Sequence, residues 1–563
     1  MPSLPPNSVR SAARLAAPIC AALLCCACGS AIRPPPPSTD ADEDVFREHV
    51  RVLASDEFAG RKPATIGEEK TVAYLVAQFR RLKLKPGNGA SYLQSVPMVE
   101  LTPGSDARLT ISGASGTQVL TYGRDMVVWT KRVQPTAGLS HSELVFAGYG
   151  IVAPEYGWDD YAGIDVRGKT VMLLVNDPGH ADIEGGLFKG RTMTYYGRWV
   201  YKLEEAARHG AGGVLLIHDK DAAGYDWPVV QSGWTGPQLD LVAADGNAGR
   251  AAIEAWVSNA AARRIFAGAG VDYAAMTAAA AKRGFRAVPL GQTVDAEVHN
   301  DIRRFSSSNV VALLPGRRNA SEYIVYSAHW DHLGRVSSPQ GDTIYHGAVD
   351  NASGVAGLLT LAQSFVRTLP PPDRSIVFVA FTGEEDGLLG SRYYVDNPLF
   401  PLDDTMADIN MDALHIGGPT RDVTVFGFGQ SDLEGVLRDV AALQGRELHA
   451  DPNPELGEYY RSDNLSFARG GVPALYAVGG VDDSARGPVW GQAQLDDYRE
   501  HRYHQPGDVY TPEWDVRGTM DDLNLYYRIG MRLTQLRRFP NWYRNSEFRN
   551  PQGRGRDAGA RGN

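Results

Sequence analysis

The sequence predicts an α/β fold: a mixed, mostly parallel sheet with helices on both faces, carrying a β-rich insertion. Three observations predict it. After about Val294, short apolar runs ("SSNVVALLPG", "EYIVYSAHW", "RSIVFVAFTG", "MADINMDAL", "VPALYAV") alternate with helical stretches such as "GVAGLLTLAQSFVRTL" and "LEGVLRDVAALQG". That alternation is the pattern of a sheet covered by helices. Residues 44–101 hold two helically periodic segments, "VFREHVRVLASDEFAGR" and "GEEKTVAYLVAQFRRLKLKPG", the second ending in a Lys/Arg cluster before Gly87. Between them, residues 102–293 change character to short strands punctuated by Gly and Pro, with one clear helix-to-strand unit in "WVYKLEEAARHGAGGVLLIHD". The expected organisation is therefore a body built from 44–101 and 294–545, split by an inserted module over 102–293.

Composition narrows the class of function. The chain has 563 residues, 43% of them hydrophobic, enough for more than one core, and a formal net charge of -10. It has no long basic run in its body, which argues against nucleic acid as a partner. All four cysteines (Cys20, Cys25, Cys26 and Cys28) lie near the N-terminus. The body thus has no thiolate to bind a metal or attack a substrate, and any metal must be held by His, Asp and Glu.

Residues 1–28 read as an export signal: Arg10 and Arg14 precede an apolar stretch from Leu15 to Ala27 that is too short to span a bilayer. The segment resembles a bacterial lipoprotein signal, with Cys28, preceded by Ala27 and followed by Gly29-Ser30, as the lipidated residue. The resemblance implies a membrane anchor in the bacterial cell envelope. The lack of Asp after Cys28 favours the outer membrane or periplasm, as a lipoprotein. Residues 29–43, rich in proline, read as an extended tether, and residues 546–563 as a disordered tail.

The polar residues at the ends of the apolar runs carry the chemistry. His329 and Asp331 follow "YIVYSA", Asp350 lies in "GAVDNASG", Glu384 and Glu385 follow "IVFVAF", Asp412 ends "MADINMD", and His504 lies in "YHQPGDVY". Alone, each has a bland reading as a cap, a turn residue or a solvated side chain. Together, they arrive at successive strand ends, where α/β sheets bind ligands. Imidazoles and carboxylates are zinc donors, and two metals need a shared carboxylate. The set that fits is His329 and Asp412 on one ion, Glu385 and His504 on the other, and Asp350 bridging. Glu384 is then left over as a general base for a hydroxide bridging the metals. Asp331 is placed to accept the second N–H of His329.

The motifs "SAHWDHLG", "GAVDNASG", "TGEEDGLLGS", "NMDAL" and "HQPGDVY", in that order, resemble the M28 metallopeptidases, the zinc aminopeptidase and glutamate carboxypeptidase group. The resemblance implies a zinc-exopeptidase (phosphorylase/hydrolase-like) fold and two zinc ions per subunit on His329, Asp350, Glu385, Asp412 and His504. It also implies a base at Glu384 and an orienting acid at Asp331. "GKTVMLLVNDPG" and "AARHGAGGVLLIHD" resemble a protease-associated (PA) domain. "EYYRSDNLSFARGGVPAL" is similar to the family segment over the cleft, which implies that Tyr459, with Tyr460 as the fallback, stabilises the oxyanion. The expected function is an exported, lipid-anchored aminopeptidase acting on peptides. The alternatives are a carboxypeptidase of the same group, with Arg461 on the substrate carboxylate, or a non-catalytic binding protein on this scaffold.

Overall fold

The computed structural model describes residues 40–181, 186–338 and 341–549. The expected signal, most of the tether and most of the tail lie outside those residues. A helix α1 (Glu43–Leu53) opens the described chain, its N-terminus capped by Asp42, whose carboxylate accepts from Val45 N–H. Phe46, Val50 and Leu53 recur at helical spacing and are fully buried. Each such side chain contributes roughly 1.5–3 kcal/mol by leaving water. A second helix, α2 (Ile66–Arg81), follows a tight turn.

The central sheet contains β1 (Leu93–Pro103), β2 (Val288–Leu314), β3 (Asn319–His329), β4 (Arg374–Phe381), β5 (Thr405–Asn410), β6 (Asp422–Phe426), β7 (Glu447–Ala450) and β8 (Ala474–Gly479). Pairing gives the order β1-β2-β4-β3-β5-β8-β6-β7. The pairs at its middle, β4 with β3, β3 with β5 and β5 with β8, are parallel. The sheet is therefore mixed, with a parallel centre, as expected. Every residue of β4 is buried, which is why it reads as an unbroken apolar run. Ile376, Phe378 and Ala380 face a core shared with α1 and with the helix Gly354–Arg367. Val377, Val379 and Phe381 face Tyr394 and Phe467 on the opposite side.

The inserted module hangs from one continuous ribbon. In β2, residues 300–310 pair with β1 in the central sheet, while residues 288–299 pair with strands Arg108–Gly113 and Thr136–Phe146 of the module. The boundary expected between 293 and 294 thus falls inside a strand, because a 27-residue strand serves both sheets. The helix-to-strand unit appears as helix Trp199–Arg208 and strand Gly213–Ile217. Ion pairs lock the module to the body: Glu204 to Arg469 at 2.8 Å and Asp240 to Arg392 at 3.5 Å. They cross a hollow of about 1090 Å³ that holds none of the expected metal donors.

One buried cation ties the first helices to the strand ends. Arg61, 1% exposed, donates to the carbonyls of Leu53, Trp330, His346 and Gly347 at 2.6–2.9 Å. Burial pushes its guanidinium down to about 10, against the pull of Asp508, Asp350, Asp331 and Glu385. Arg61→Met is expected to cost about 3–5 kcal/mol, because it leaves those carbonyls unpaired and the acids behind them uncompensated. Urea denaturation of the two proteins measures this directly.

Candidate metal centre

Four of the site's side chains owe their places to the ends of buried strands. His329 is the last residue of β3, Glu384 and Glu385 follow the end of β4, and Asp412 follows β5. Asp350 sits in a loop that starts at Gly347 (φ 55°), where a Cβ would lie 2.2 Å from the Asp350 carbonyl and 2.5 Å from the His332 ring. Only glycine fits there. The Asp508 carboxylate holds the loop by accepting from Val349 N–H at 2.9 Å and Asp350 N–H at 3.1 Å. Asn351 joins it to the end of β5 by donating to the Met411 carbonyl at 3.0 Å. His504 has its ring stacked on Tyr503, with centroids 4.0 Å apart.

The five expected ligand side chains converge. His329 Nε2 lies 3.2 Å from Asp412 Oδ1 and 3.3 Å from Asp350 Oδ1. His504 Nε2 lies 3.1 Å from Asp350 Oδ2 and 3.0 Å from Glu385 Oε2. Asp350 therefore offers one oxygen to each imidazole. Glu384 Oε2 stands 3.8 Å from His329 Nε2, on the wall of a cavity of about 420 Å³ that Asp350 and Asp412 also line.

The electrostatics show what this cluster lacks. Burial pushes the Glu384 carboxyl well above its usual range, and Asp412 and Glu385 add to that despite His329. Burial also raises Asp331, to about 8. Asp350 and Glu385 go the other way: burial opposes their charge, but His329 and His504 hold Asp350 well below the usual range, and His504 brings Glu385 to about 2. Both imidazoles are driven well above their ordinary values, against burial, by Asp412 and Glu384 at His329 and by Glu385 at His504. The donor atoms of His329, Asp350 and Asp412 lie within 4.8 Å of one another, as do those of His332, Asp350 and Glu385. An all-oxygen-and-imidazole set of this density fits divalent zinc.

Two expected contacts differ. Asp331 does not reach the His329 ring with its carboxylate: Nδ1 faces the Asp331 backbone carbonyl at 3.2 Å, and Oδ1 is 3.8 Å away. That carboxylate instead accepts from the backbone N–H of Glu384 at 3.1 Å and of Glu385 at 3.3 Å, so it fixes the loop that carries both. Tyr459 is not on the cavity wall. Its buried hydroxyl donates to the Ala474 carbonyl at 3.1 Å, and its ring packs with Tyr460 and Phe548 in a separate cluster. Tyr460 donates to Glu547. Asp386 is half-buried, raised to about 6 by burial, with Lys62 partly offsetting it.

Sequence reading missed His332, which is fully enclosed, with Nδ1 2.6 Å from Glu385 Oε1 and Nε2 buried without a partner among the described residues. The signal was present in "SAHWDHLG", but His332 lies past the strand end, where period-2 spacing no longer locates a side chain. Asp508 and Arg61 were missed because they act through backbone groups.

The model of Peptidase family M28 matches residues 309–528. Over 208 residues the chain is 34% identical to Aminopeptidase NAALADL1 of Mus musculus, covering 35% of this chain and 25% of that protein. Over 234 residues it is 28% identical to the Alkaline phosphatase isozyme conversion protein of Escherichia coli (strain K12), covering 38% of this chain and 62% of that one. It thus spans about a quarter of the length of the first of these relatives. Among solved structures, the aminopeptidase from Aneurinibacillus sp. strain AM-1 aligns with a TM-score of 0.47 at 18% identity, over 88% of this chain and 93% of that one. BSAP, a zinc aminopeptidase from Bacillus subtilis, aligns at 0.39 and 20% identity, over 88% and 95%. The segment that matches Peptidase family M28, residues 309–528, holds every donor of the cluster.

Proposed function

We propose that the chain is a zinc-dependent aminopeptidase that removes N-terminal residues from peptides. One observation carries the reading: the two oxygens of Asp350 face two different imidazoles, His329 and His504, each with its own further carboxylate, Asp412 or Glu385. Two zinc ions would be held by those five side chains, and when bound they supply Lewis acidity to a carbonyl and make water a better nucleophile. Glu384 has no such ligand duty. Its buried carboxylate takes the proton of the attacking water and hands it to the leaving amine, a role suited to an acid whose proton affinity burial has raised. Asp331 keeps Glu384 and Glu385 pointing to their separate tasks by holding both backbone N–H groups. The cavity is walled by Leu414, Ile416, Phe426, Val478 and Trp490, which suits a bulky apolar residue at the cleavage site.

A second reading, a carboxypeptidase, is favoured by one feature. Arg198, from the inserted module, has no acid partner among the described residues, and its Nε is buried unpaired. Burial first, and repulsion from Arg461 next, push it down to about 10. Arg461 lines the cavity, with Glu458 at 3.4 Å as its counter-ion. A guanidinium on the cavity wall, that of Arg461, suits a substrate carboxylate. Export, lipidation at Cys28 and a PA-like screening role for the inserted module belong to the same proposal. They rest on the sequence of residues 1–43 and on the ribbon that joins the module to the body. A non-catalytic binder would keep the metals and lose turnover.

Glu384→Gln is expected to lower kcat by about 10²–10⁴-fold with zinc content unchanged. His504→Ala is expected to halve the zinc found by elemental analysis, from two ions per chain to one; an unchanged stoichiometry would refute the shared-carboxylate assignment. Leucyl and phenylalanyl anilides are expected to be cleaved faster than glycyl or glutamyl ones. N-acetylated peptides with a free carboxylate are expected to be poor substrates, and their preferential cleavage would select the carboxypeptidase.

A further inference from the structure

His332 touches one of the metal donors, yet it belongs to neither set of ligands assigned above. Its side chain is fully enclosed, and its Nδ1 lies 2.6 Å from Glu385 Oε1. The other oxygen of that carboxylate, Oε2, lies 3.0 Å from His504 Nε2. Glu385 is therefore divided atom by atom. One oxygen faces the site that His504 and Asp350 form, and the other faces His332.

An imidazole in that position can be a ligand or a hydrogen-bond donor, and the spacing separates the two. Two donors on one zinc, each bonded at about 2.0–2.1 Å in tetrahedral geometry, sit roughly 3.3 Å apart. The pairs His329–Asp412, His329–Asp350, His504–Asp350 and His504–Glu385 lie at 3.2, 3.3, 3.1 and 3.0 Å, close to that spacing. His332 Nδ1 and Glu385 Oε1, at 2.6 Å, lie well inside it, at the length of a short hydrogen bond to a carboxylate.

The ring is held where it is. A Cβ on Gly347 would lie 2.5 Å from its Cγ and Cδ2, so the loop that carries Asp350 runs directly against it. His504 meets it edge-on, with centroids 5.7 Å apart. Its Nε2 is enclosed with no hydrogen-bond partner among the described residues. With Nε2 unpaired, the hydrogen belongs on Nδ1, which donates it to Glu385. A ring needed only for packing would be better apolar, because an enclosed, unpaired nitrogen is destabilising. The contact with Glu385 is what accounts for a histidine here.

We propose that His332 is a positioning residue for the second metal: by donating to Glu385 Oε1 it fixes the turn of the carboxylate and leaves Oε2 as the single oxygen presented beside His504. The inference rests on the two-ion reading above, and it goes further in making the two positions unequal. A ligand already aimed before the ion arrives binds it more tightly, and outer contacts of this kind typically carry about 10–100-fold in metal affinity. No bond to His332 forms or breaks.

The test reads zinc rather than turnover. The parent, His332→Asn, His332→Gln and His332→Leu are dialysed against buffers of graded free zinc and analysed for metal, and each metal-free protein is melted. His332→Asn puts an amide N–H where Nδ1 stands, His332→Gln carries its amide past that point, and His332→Leu has no donor. His332→Gln and His332→Leu are expected to weaken one ion by about 10–100-fold and the other by less than about threefold, while His332→Asn stays within about threefold of the parent for both. In a His504→Ala background, which has already lost the site beside His332, His332→Leu should shift the remaining ion by less than about threefold. Unchanged affinities in His332→Gln and His332→Leu would overturn the assignment, as would equal weakening of both ions or an undiminished effect without His504. A His332→Asn protein as weak as His332→Leu would also overturn it, and would make His332 a ligand. If His332→Leu does not fold, the comparison of His332→Asn with His332→Gln decides alone. A parent that binds a single ion refutes the two-ion reading, and the inference then stands only if His332→Gln weakens that ion and His332→Asn does not. A parent that binds no zinc overturns both. Because no substrate is involved, a failure to hydrolyse peptides bears on the peptidase reading and not on this one.

Discussion

Uncompensated negative charge in one enclosed space is the constraint on which the rest of this structure depends. Asp331, Asp350, Glu384, Glu385, Asp412 and Asp508 gather at the strand ends with Arg61 as the buried guanidinium behind them. Carboxylates taken out of water repel one another strongly and cannot all remain ionised without cations. Within the protein this shows in three ways: the proton affinities of His329 and His504 rise with the acids around them, those of Glu384 and Asp331 rise with burial, and Asp331 and Asp508 accept from backbone N–H groups. None of these neutralises the space as fully as bound divalent ions would. The donor set fits divalent cations.

That constraint explains features far from the donors. Arg61 comes from the turn between the first two helices, yet its contacts are the carbonyls of Trp330, His346 and Gly347, next to His329 and before Asp350. It sets loop geometry through hydrogen bonds and offsets acid through charge with the same side chain. The first helices are thus part of the centre's support, although they precede the inserted module by sequence. The module is held in turn at Glu204 and Asp240, and by Glu547, whose carboxylate accepts from Tyr195 N–H and the Tyr460 hydroxyl and pairs with Lys189. These contacts bracket the segment that carries Arg461 into the cavity. A module joined through one ribbon and several ion pairs can therefore influence the cleft without adding a metal ligand.

Much of this was legible in the sequence, for a definable reason. Strands β4 and β5 are buried along their whole length and β3 over its last six residues, so each reads as an apolar run whose end can be located to a residue. Donors that follow such ends at once, His329, Glu384, Glu385 and Asp412, could be placed by counting. His504 and Asp350 were placed by motif, since they sit in loops. Counting failed where a side chain's direction depends on loop conformation. Asp331 turned from the imidazole to the neighbouring backbone, and His332 turned inward to Glu385. The boundary drawn at 293 lies within a strand of 27 residues that serves two sheets and leaves no punctuation where one ends and the other begins.

The tyrosines show the same limit most sharply. Spacing to Ser462-Asp463 selects Tyr459, yet a Cβ at Gly427 would lie 2.5 Å from that ring, and its hydroxyl is spent on Ala474. A ring packed that tightly cannot swing to the cavity without displacing the cluster around Phe548. Hydrogen-bond accounting adds what spacing does not report: a phenol already paired in the fold has little to offer a substrate. Spacing reports which residues a fold brings near a site. Only the balance of donors and acceptors reports which of them are still free to act.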